Sequence, residues 1–139
     1  MNYTKTNTTM KTLLLLSFGL ISFAADTACA GILGKYRVKG TENNFGYKYG
    51  FHGTISVKNY RSGFLKIYYS PVDSSSIWFD FKTPLKETKK EQTVRISWSF
   101  NGAPGTGKAT FRGVKDGYEV EFKYLNGGLS GVGRGSKSP

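Results

Sequence analysis

Residues that could act as acids, bases or metal ligands are scarce in this chain. His52 is the only histidine among the 139 residues, and Cys29 is the only cysteine. Metal sites built from imidazole or thiolate groups need several such ligands, so we expect no site of that type. A Ser-His-acid triad would have to use His52, and no nucleophile motif accompanies it. We therefore expect no metal, no other cofactor and no catalysis that depends on histidine.

Glu119 and Glu121 form a pair of carboxylates whose spacing can suit glycoside hydrolysis. Two positions apart on a strand, they are separated by roughly 7 Å. They alternate with the apolar residues Val120 and Phe122, however, so they belong to the solvent-facing side of that strand. This pattern favours a protein that is not an enzyme.

Four residues are candidates for contacting a ligand. Asp80 lies two positions from Trp78, and an acid beside an indole can bind a sugar or a cation. Tyr60 and Tyr68 lie among basic residues, where their rings can stack on sugars or bases. Aromatic residues make up 15% of the chain, so most of them must also fill a small core. The alternative for Asp80 is an exposed residue that only keeps an edge soluble.

Beyond residue 31, apolar residues recur at every second position, which is typical of strands with one buried face. The clearest case is the segment Thr93–Phe100, where Val94 and Ile96 alternate with polar residues. The same pattern predicts eight strands, near Gly34–Gly40, Tyr47–Val57, Leu65–Tyr69, Ile77–Phe81, Thr93–Phe100, Lys108–Arg112, Tyr118–Tyr124 and Leu129–Gly135.

The predicted strands are short, and most of the connections between them are turns. Eight antiparallel strands in about 100 residues predict a small closed up-and-down β-barrel, because closure removes the exposed edges of an open sheet. The alternative is a β-sandwich. Residues 31–139 are expected to form this single domain, and residues 1–30 precede it.

The last predicted strand has an unusual inner face. Leu129, Gly131, Gly133 and Gly135 lie on one side, so three of its four positions carry no side chain. Glycine weakens a strand, which means that something should require it there. The pattern indicates either a close approach by bulky neighbours, with the curvature of a barrel, or room for a ligand.

Two glycine-containing strand patterns resemble a known family. Gly34-x-Tyr36-x-Val38-x-Gly40, followed by Tyr49-x-Phe51-x-Gly53-x-Ile55-x-Val57, is similar to the opening hairpin of small bacterial exported lipocalin-like domains. The resemblance extends over most of residues 34–135 as a pattern of strands and glycines. It implies a barrel that binds an apolar small molecule. Tyr36 stands where true lipocalins carry tryptophan.

The first thirty residues predict a secretory signal peptide. A start containing Lys5 and Lys11 is followed by the uncharged apolar run Leu13–Ala25. This run is shorter than the roughly 20 residues that a membrane helix needs. Small residues before Gly31 predict cleavage between Ala30 and Gly31. The mature chain is therefore expected to be secreted or periplasmic, with no transmembrane segment.

Two features of this segment leave alternatives open. Translation can start at Met1 or at Met10, because a basic residue and the leucine run follow Met10 directly. A lipoprotein signal also ends before a cysteine, so lipid attachment at Cys29 is the alternative to simple cleavage. That signal favours an aliphatic residue three positions earlier, where this chain has Asp26.

The predicted mature chain is strongly basic. Cleavage removes Lys5, Lys11 and Asp26 from 20 basic and 9 acidic residues, leaving 18 and 8, a net charge of +10. Such a charge favours anionic glycans, lipid head groups or acidic proteins as partners, and export disfavours nucleic acid. We therefore predict a binding protein that takes an anionic or small apolar ligand on its basic surface or in the barrel mouth. The alternative is an envelope interaction protein or an enzyme inhibitor that acts through protein contacts.

Overall fold

The computed structural model describes residues 31–69, 74–100 and 102–138, which form strands, turns and short connections. The predicted signal segment, including the alternative starts, Cys29 and Ala30, lies outside the described residues and stays a prediction. Eight strands follow one another: β1 (Gly34–Asn44), β2 (Tyr47–Asn59), β3 (Ser62–Tyr68), β4 (Ser74–Phe81), β5 (Glu91–Phe100), β6 (Ala103–Val114), β7 (Gly117–Asn126) and β8 (Leu129–Lys137).

The strands form a closed antiparallel barrel. Each strand pairs with the next one along the chain, and β8 pairs with β1. The predicted barrel is therefore confirmed, and the alternative sandwich is not formed. The predicted alternation also holds, because Tyr36, Val38, Ile55 and Phe122 all point inward and are buried. These inward side chains form the core of the barrel.

Aromatic rings from β7 fill the glycine-rich inner face of β8. The register sets Gly131 opposite Tyr124 and Gly133 opposite Phe122. A Cβ atom at either glycine would overlap the facing ring. The two rings are stacked, with 5.8 Å between their centroids and 9° between their planes. The prediction that bulky neighbours require these glycines is confirmed.

One end of the barrel, which we call the closed end, is plugged by apolar side chains. Ile32, from the segment before β1, is fully buried, and its carbonyl oxygen accepts a hydrogen bond of 2.6 Å from the Tyr36 hydroxyl. Leu85, from the loop after β4, is buried as well. The Gln92 side chain fixes this loop through hydrogen bonds of 2.8 and 2.7 Å with the backbone of Lys86.

The opposite end, which we call the open end, is where β1, β3, β5 and β7 finish. Toward this end β4 and β5 separate. Their described residues form only two pairs, Asp80↔Ser97 and Phe81↔Ile96. From Ser74 to Phe79, the described part of β4 pairs with β3 but not with β5. We call this gap the seam. It leaves part of one wall of the barrel without a hydrogen-bonded neighbour.

Candidate functional site

Three of the four predicted ligand-binding residues lie on the outer surface of β3 and β4. Trp78 is 64% exposed, and its ring contacts Phe64 on the neighbouring strand with 5.0 Å between centroids. Asp80 follows two residues later on the same side and is exposed. Tyr68 lies farther along β3, toward the open end. The structure therefore brings two of the predicted rings and the predicted acid onto one continuous surface.

Tyr68 is the centre of a small group of outward side chains. The ring of His52 stacks on it, with 5.3 Å between centroids and 14° between planes. The Nζ atom of Lys66 lies 5.3 Å from the centroid of the same ring, within the range of a cation–π interaction. His52 is exposed on the outer side, where the alternation places it.

The fourth predicted residue, Tyr60, lies apart from this group. It belongs to the turn after β2 at the closed end, and its ring packs against the core. Its hydroxyl donates a hydrogen bond to Glu87 in the loop after β4. That bond, with a smaller effect of burial, raises the pKa of Tyr60. Tyr60 thus holds the loop of the closed end and does not join the outer surface.

A row of cations runs along the outer side of β1. Lys35, Arg37 and Lys39 are all exposed, and none forms an ion pair with a described carboxylate. Lys66, on β3, adds a fourth cation to this side of the barrel. Among the described residues of β1–β4, Asp80 is the only carboxylate that points outward. The register sets the β1 cations beside these polar side chains of β2: Ser56, Thr54 and His52.

We call this surface the cationic face, and define it by these residues: Lys35, Arg37, Lys39, His52, Thr54, Ser56, Phe64, Lys66, Tyr68 and Trp78. Its four strands differ in chemistry, with cations on β1, polar groups on β2, two rings flanking a lysine on β3, and Trp78 on β4. The arrangement places positive charge, hydrogen-bonding groups and exposed rings within reach of one extended ligand.

On the opposite wall of the barrel, two arginines form ion pairs with carboxylates. Arg112 lies 2.9 Å from Glu91, and Arg134 lies 2.5 Å from Glu121. Lys123 is a second neighbour of Glu121, at 3.5 Å. Hydrogen bonds from the two guanidinium groups lower the pKa of Glu91 and of Glu121. These two arginines therefore differ from the β1 cations of the cationic face, which form no ion pair with a described carboxylate.

The carboxylate pair of β7 belongs to this wall. Glu119 is exposed and stands opposite Arg112, while Glu121 contacts Arg134. A carboxylate that a guanidinium group keeps ionised is poorly suited to donate a proton. Glu121 is therefore poorly suited to act as the acid in glycoside hydrolysis. In the described ranges, no cluster of three or more His, Cys, Asp and Glu side chains is placed to hold a metal ion.

A second site lies inside the barrel, near the open end. Glu42 points inward from β1 and is only 4% exposed. Its Oε2 atom accepts a hydrogen bond of 2.8 Å from the hydroxyl of Tyr69 and another from the hydroxyl of Tyr124. Both bonds end on Oε2, so neither of them occupies Oε1. A buried acid here connects β1, β7 and the end of β3.

These three residues line a cavity of about 70 Å³, which we call the mouth pocket. The ring of Trp98 meets that of Tyr124 edge-on, with 6.0 Å between centroids. Ligand sites commonly combine apolar walls with a few convergent polar groups, as this cavity does. The remaining lining residues are Ser75, Ile77, Trp98, Asn126 and Leu129. Deeper in the barrel, apolar side chains line a void of about 20 Å³.

The hydroxyl groups of Tyr69 and Tyr124, which bind Glu42, have raised pKa values. Burial, followed by the hydrogen bond and the charge of Glu42, raises the pKa of Tyr69 to about 12. The same causes raise the pKa of Tyr124. Both tyrosines therefore remain neutral hydrogen-bond donors at neutral pH. No Lys or Arg of the described segments lies within ion-pair distance of Glu42.

Sequence reasoning did not identify Glu42 as an inner residue, although a sequence signal exists. Glu42 has the same parity as Tyr36, Val38 and Gly40, so continuing the alternation by two residues places it inside the barrel. No comparable signal links it to Tyr124, because their meeting depends on how the sheet closes.

The fold and these two sites define the class of protein: a small closed antiparallel barrel with a cationic outer face and an acidic inner pocket. A comparison with known proteins finds no matching family model, curated protein or solved structure. The resemblance to lipocalin-like domains therefore stays a prediction. Within the described residues, no helix is long and apolar enough to cross a membrane.

Proposed function

We propose that this chain is an exported, non-enzymatic binding protein whose cationic face binds an acidic polysaccharide. The observation that carries the proposal is the position of Lys35, Arg37 and Lys39 beside polar groups and rings, with no described carboxylate paired to them. An extended anion that lies across β1–β4 contacts several of these groups at once.

The charges of the cationic face support a polymeric anion as the ligand. Unpaired surface cations hold mobile counterions, and a polyanion that replaces those counterions gains free energy that depends on salt. Arg112 and Arg134 on the opposite wall are less suited to this role because Glu91 and Glu121 already compensate their charge. We therefore expect the polymer to follow the β1–β4 side of the barrel.

The exposed rings favour a polysaccharide over other anions. The face of an aromatic ring is weakly negative and attracts the weakly positive C–H groups of a sugar ring. Trp78 offers such a face, and Thr54 and Ser56 offer hydroxyl groups for hydrogen bonds with sugar hydroxyls. The predicted signal segment supports a ligand of the cell envelope or the extracellular space, where acidic polysaccharides occur and nucleic acid is uncommon.

Retention of the purified protein on an immobilised sulfated polysaccharide tests this function. We expect retention at low salt and elution as the salt concentration rises. The triple variant Lys35→Gln/Arg37→Gln/Lys39→Gln should lose about tenfold or more in affinity, because each lost ion contact weakens polyanion binding. The matched control Lys89→Gln/Lys108→Gln/Lys115→Gln makes the same change in net charge at exposed positions outside the cationic face.

Several outcomes would contradict the proposal. Equal weakening in the two triple variants would show that net charge alone attracts the polymer. Stronger binding to anionic lipid vesicles or to single-stranded DNA than to the polysaccharide would identify another class of ligand. Trp78→Ala should weaken binding at a salt concentration where charge is screened, and an unchanged affinity there would remove the rings from the site.

A second function, an envelope interaction protein or inhibitor, is favoured by one observation. The turn after β1 exposes Phe45 by 79%, and at the start of β2 Tyr47 is 72% exposed and Tyr49 half exposed. Aromatic residues are enriched in protein interfaces. If this turn binds a partner protein, Phe45→Ser/Tyr47→Ser should abolish co-purification of one stoichiometric envelope protein. The triple Gln variant of the cationic face should leave that co-purification unchanged.

A further inference from the structure

Glu42 is a buried carboxylate that has hydrogen bonds but no cationic partner among the residues that the structure describes. Removing a carboxylate from water is costly, and two neutral hydroxyl groups replace only part of the lost hydration. The described chain has many more cations than acids, yet none of its described cations forms an ion pair with Glu42. The mouth pocket therefore contains a negative group that a cation from outside can compensate.

The other walls of the mouth pocket suit a cation that carries an apolar group. Asn126 and Ser75 contribute polar side chains to the same cavity as Glu42. The Trp98 ring forms part of the wall, and indole is the best cation–π partner among the side chains. Leu129 adds an apolar surface that an alkyl chain can cover.

The size and position of the pocket limit the ligand. A volume of about 70 Å³ exceeds the roughly 10–15 Å³ that one water molecule needs, so a head group and a few carbon atoms fit. Ile77 and Trp98 belong to the two strands that separate at the seam. The pocket is therefore bordered by a part of the wall that no strand pairing closes.

We propose that the mouth pocket binds a primary ammonium group attached to a short apolar chain. An ammonium group has three N–H donors and no acceptor, so it needs acceptors on several sides. Oε1 of Glu42, the side-chain carbonyl of Asn126 and the hydroxyl of Ser75 provide three. The charged hydrogen bond to the carboxylate contributes most, because such bonds are stronger than neutral ones. This site is separate from the cationic face and does not depend on the polysaccharide function.

Fluorescence of Trp98 gives a direct test. The chain has two tryptophans, so Trp78→Phe leaves Trp98 as the single reporter beside Glu42. We titrate this variant with n-butylammonium and, separately, with n-butanol, which has a similar shape and no charge. We expect a saturable change with n-butylammonium at a concentration at least tenfold lower than with n-butanol. Equal responses to the two compounds, or no saturable response to the ammonium, would overturn the proposal.

A charge-removing variant separates ligand binding from structure. Glu42→Gln in the Trp78→Phe background keeps the shape of the side chain and an oxygen that can accept from Tyr69 and Tyr124. We expect it to lose n-butylammonium affinity by about tenfold or more while the circular dichroism spectrum is retained. Asp80→Asn is the matched control, since it removes an exposed carboxylate outside the pocket.

The comparison of the two variants decides the role of Glu42. Loss of affinity in Glu42→Gln but not in Asp80→Asn supports the site. Equal affinity in both variants would show that Glu42 only connects strands and would overturn the proposal. If Glu42→Gln does not fold, the comparison of n-butylammonium with n-butanol in the Trp78→Phe protein still decides the question.

Discussion

The hydroxyl of Tyr124 on β7 donates a hydrogen bond to Glu42 on β1, although β8 runs between the two strands. Both residues are in register with Gly131 on β8, and the ring of Tyr124 occupies the space that a side chain at Gly131 would need. The two residues are 82 positions apart in the sequence. A glycine thus permits a polar contact that connects three strands at the open end.

Gly131→Ala tests this relationship. A methyl group there overlaps the Tyr124 ring, so the ring must move and its bond to Glu42 must lengthen or break. We expect a loss of roughly 1–3 kcal/mol in the free energy of unfolding, the usual range for overpacking a core. Urea denaturation measures it. Gly50→Ala is the control, because a Cβ atom at Gly50 meets nothing within 4 Å. Similar losses in both variants would contradict the role assigned to Gly131.

Stability should fall in alkaline solution because of the tyrosines beside Glu42. An ordinary tyrosine has a pKa of 10.0, whereas the pKa of folded Tyr69 is about 12. Between these values the unfolded chain has released a proton that the folded chain still holds, so stability decreases as the pH rises. Below pH 10 this contribution is fully present. The raised pKa of Tyr124 adds a loss of the same sign.

Substitution of these tyrosines checks the origin of the alkaline loss. In urea denaturation from pH 8 to pH 11.5, Tyr69→Phe/Tyr124→Phe should show a shallower decline above pH 10 than the unmodified protein. Tyr47→Phe/Tyr49→Phe changes two exposed tyrosines of the open end and should leave the slope unchanged. Identical slopes in all three proteins would assign the decline to other groups.

Leu85 should contribute strongly to stability although it lies in a loop. Its side chain is 4% exposed and belongs to the core cluster at the closed end. Leu85→Ala should lower the free energy of unfolding by about 2–4 kcal/mol, as in other truncations of buried leucine. Val114→Ala removes methyl groups from a side chain that is 41% exposed and should cost less than about 1 kcal/mol. Thermal and urea denaturation compare the two variants. Equal losses in the free energy of unfolding would contradict the role of Leu85 in closing this end of the barrel.

The seam should be visible in hydrogen exchange. Along Ser74–Phe79, alternate amide groups point toward β3 and toward the seam, since antiparallel strands bond on alternate residues. Amides that point toward the seam should exchange at least tenfold faster than those bonded to β3. The amides of Lys108–Phe111, on a strand paired on both sides, should be uniformly slow. Uniform protection along β4 would show that β5 closes the seam in solution.

The cationic face was predictable in part from the local sequence pattern. Alternation assigned Trp78 and Asp80 to the solvent side, because that assignment needs only the parity of neighbouring residues. Tyr60 could not be separated from them, since its position depends on the loop after β4 that folds back to it. Which cations form ion pairs with carboxylates was not visible either, because it depends on which strands pair.

The sequence by itself determined the period-two pattern, and with it the eight strands and the inward or outward side of most residues. It also predicts the signal segment and the basic charge of the mature chain. Only the tertiary structure decided that Glu42 meets Tyr124 and that Lys35, Arg37 and Lys39 have no acidic partner in the described part of the chain. The physical reason is that parity is local, whereas strand pairing and barrel closure bring together residues that no short-range pattern connects.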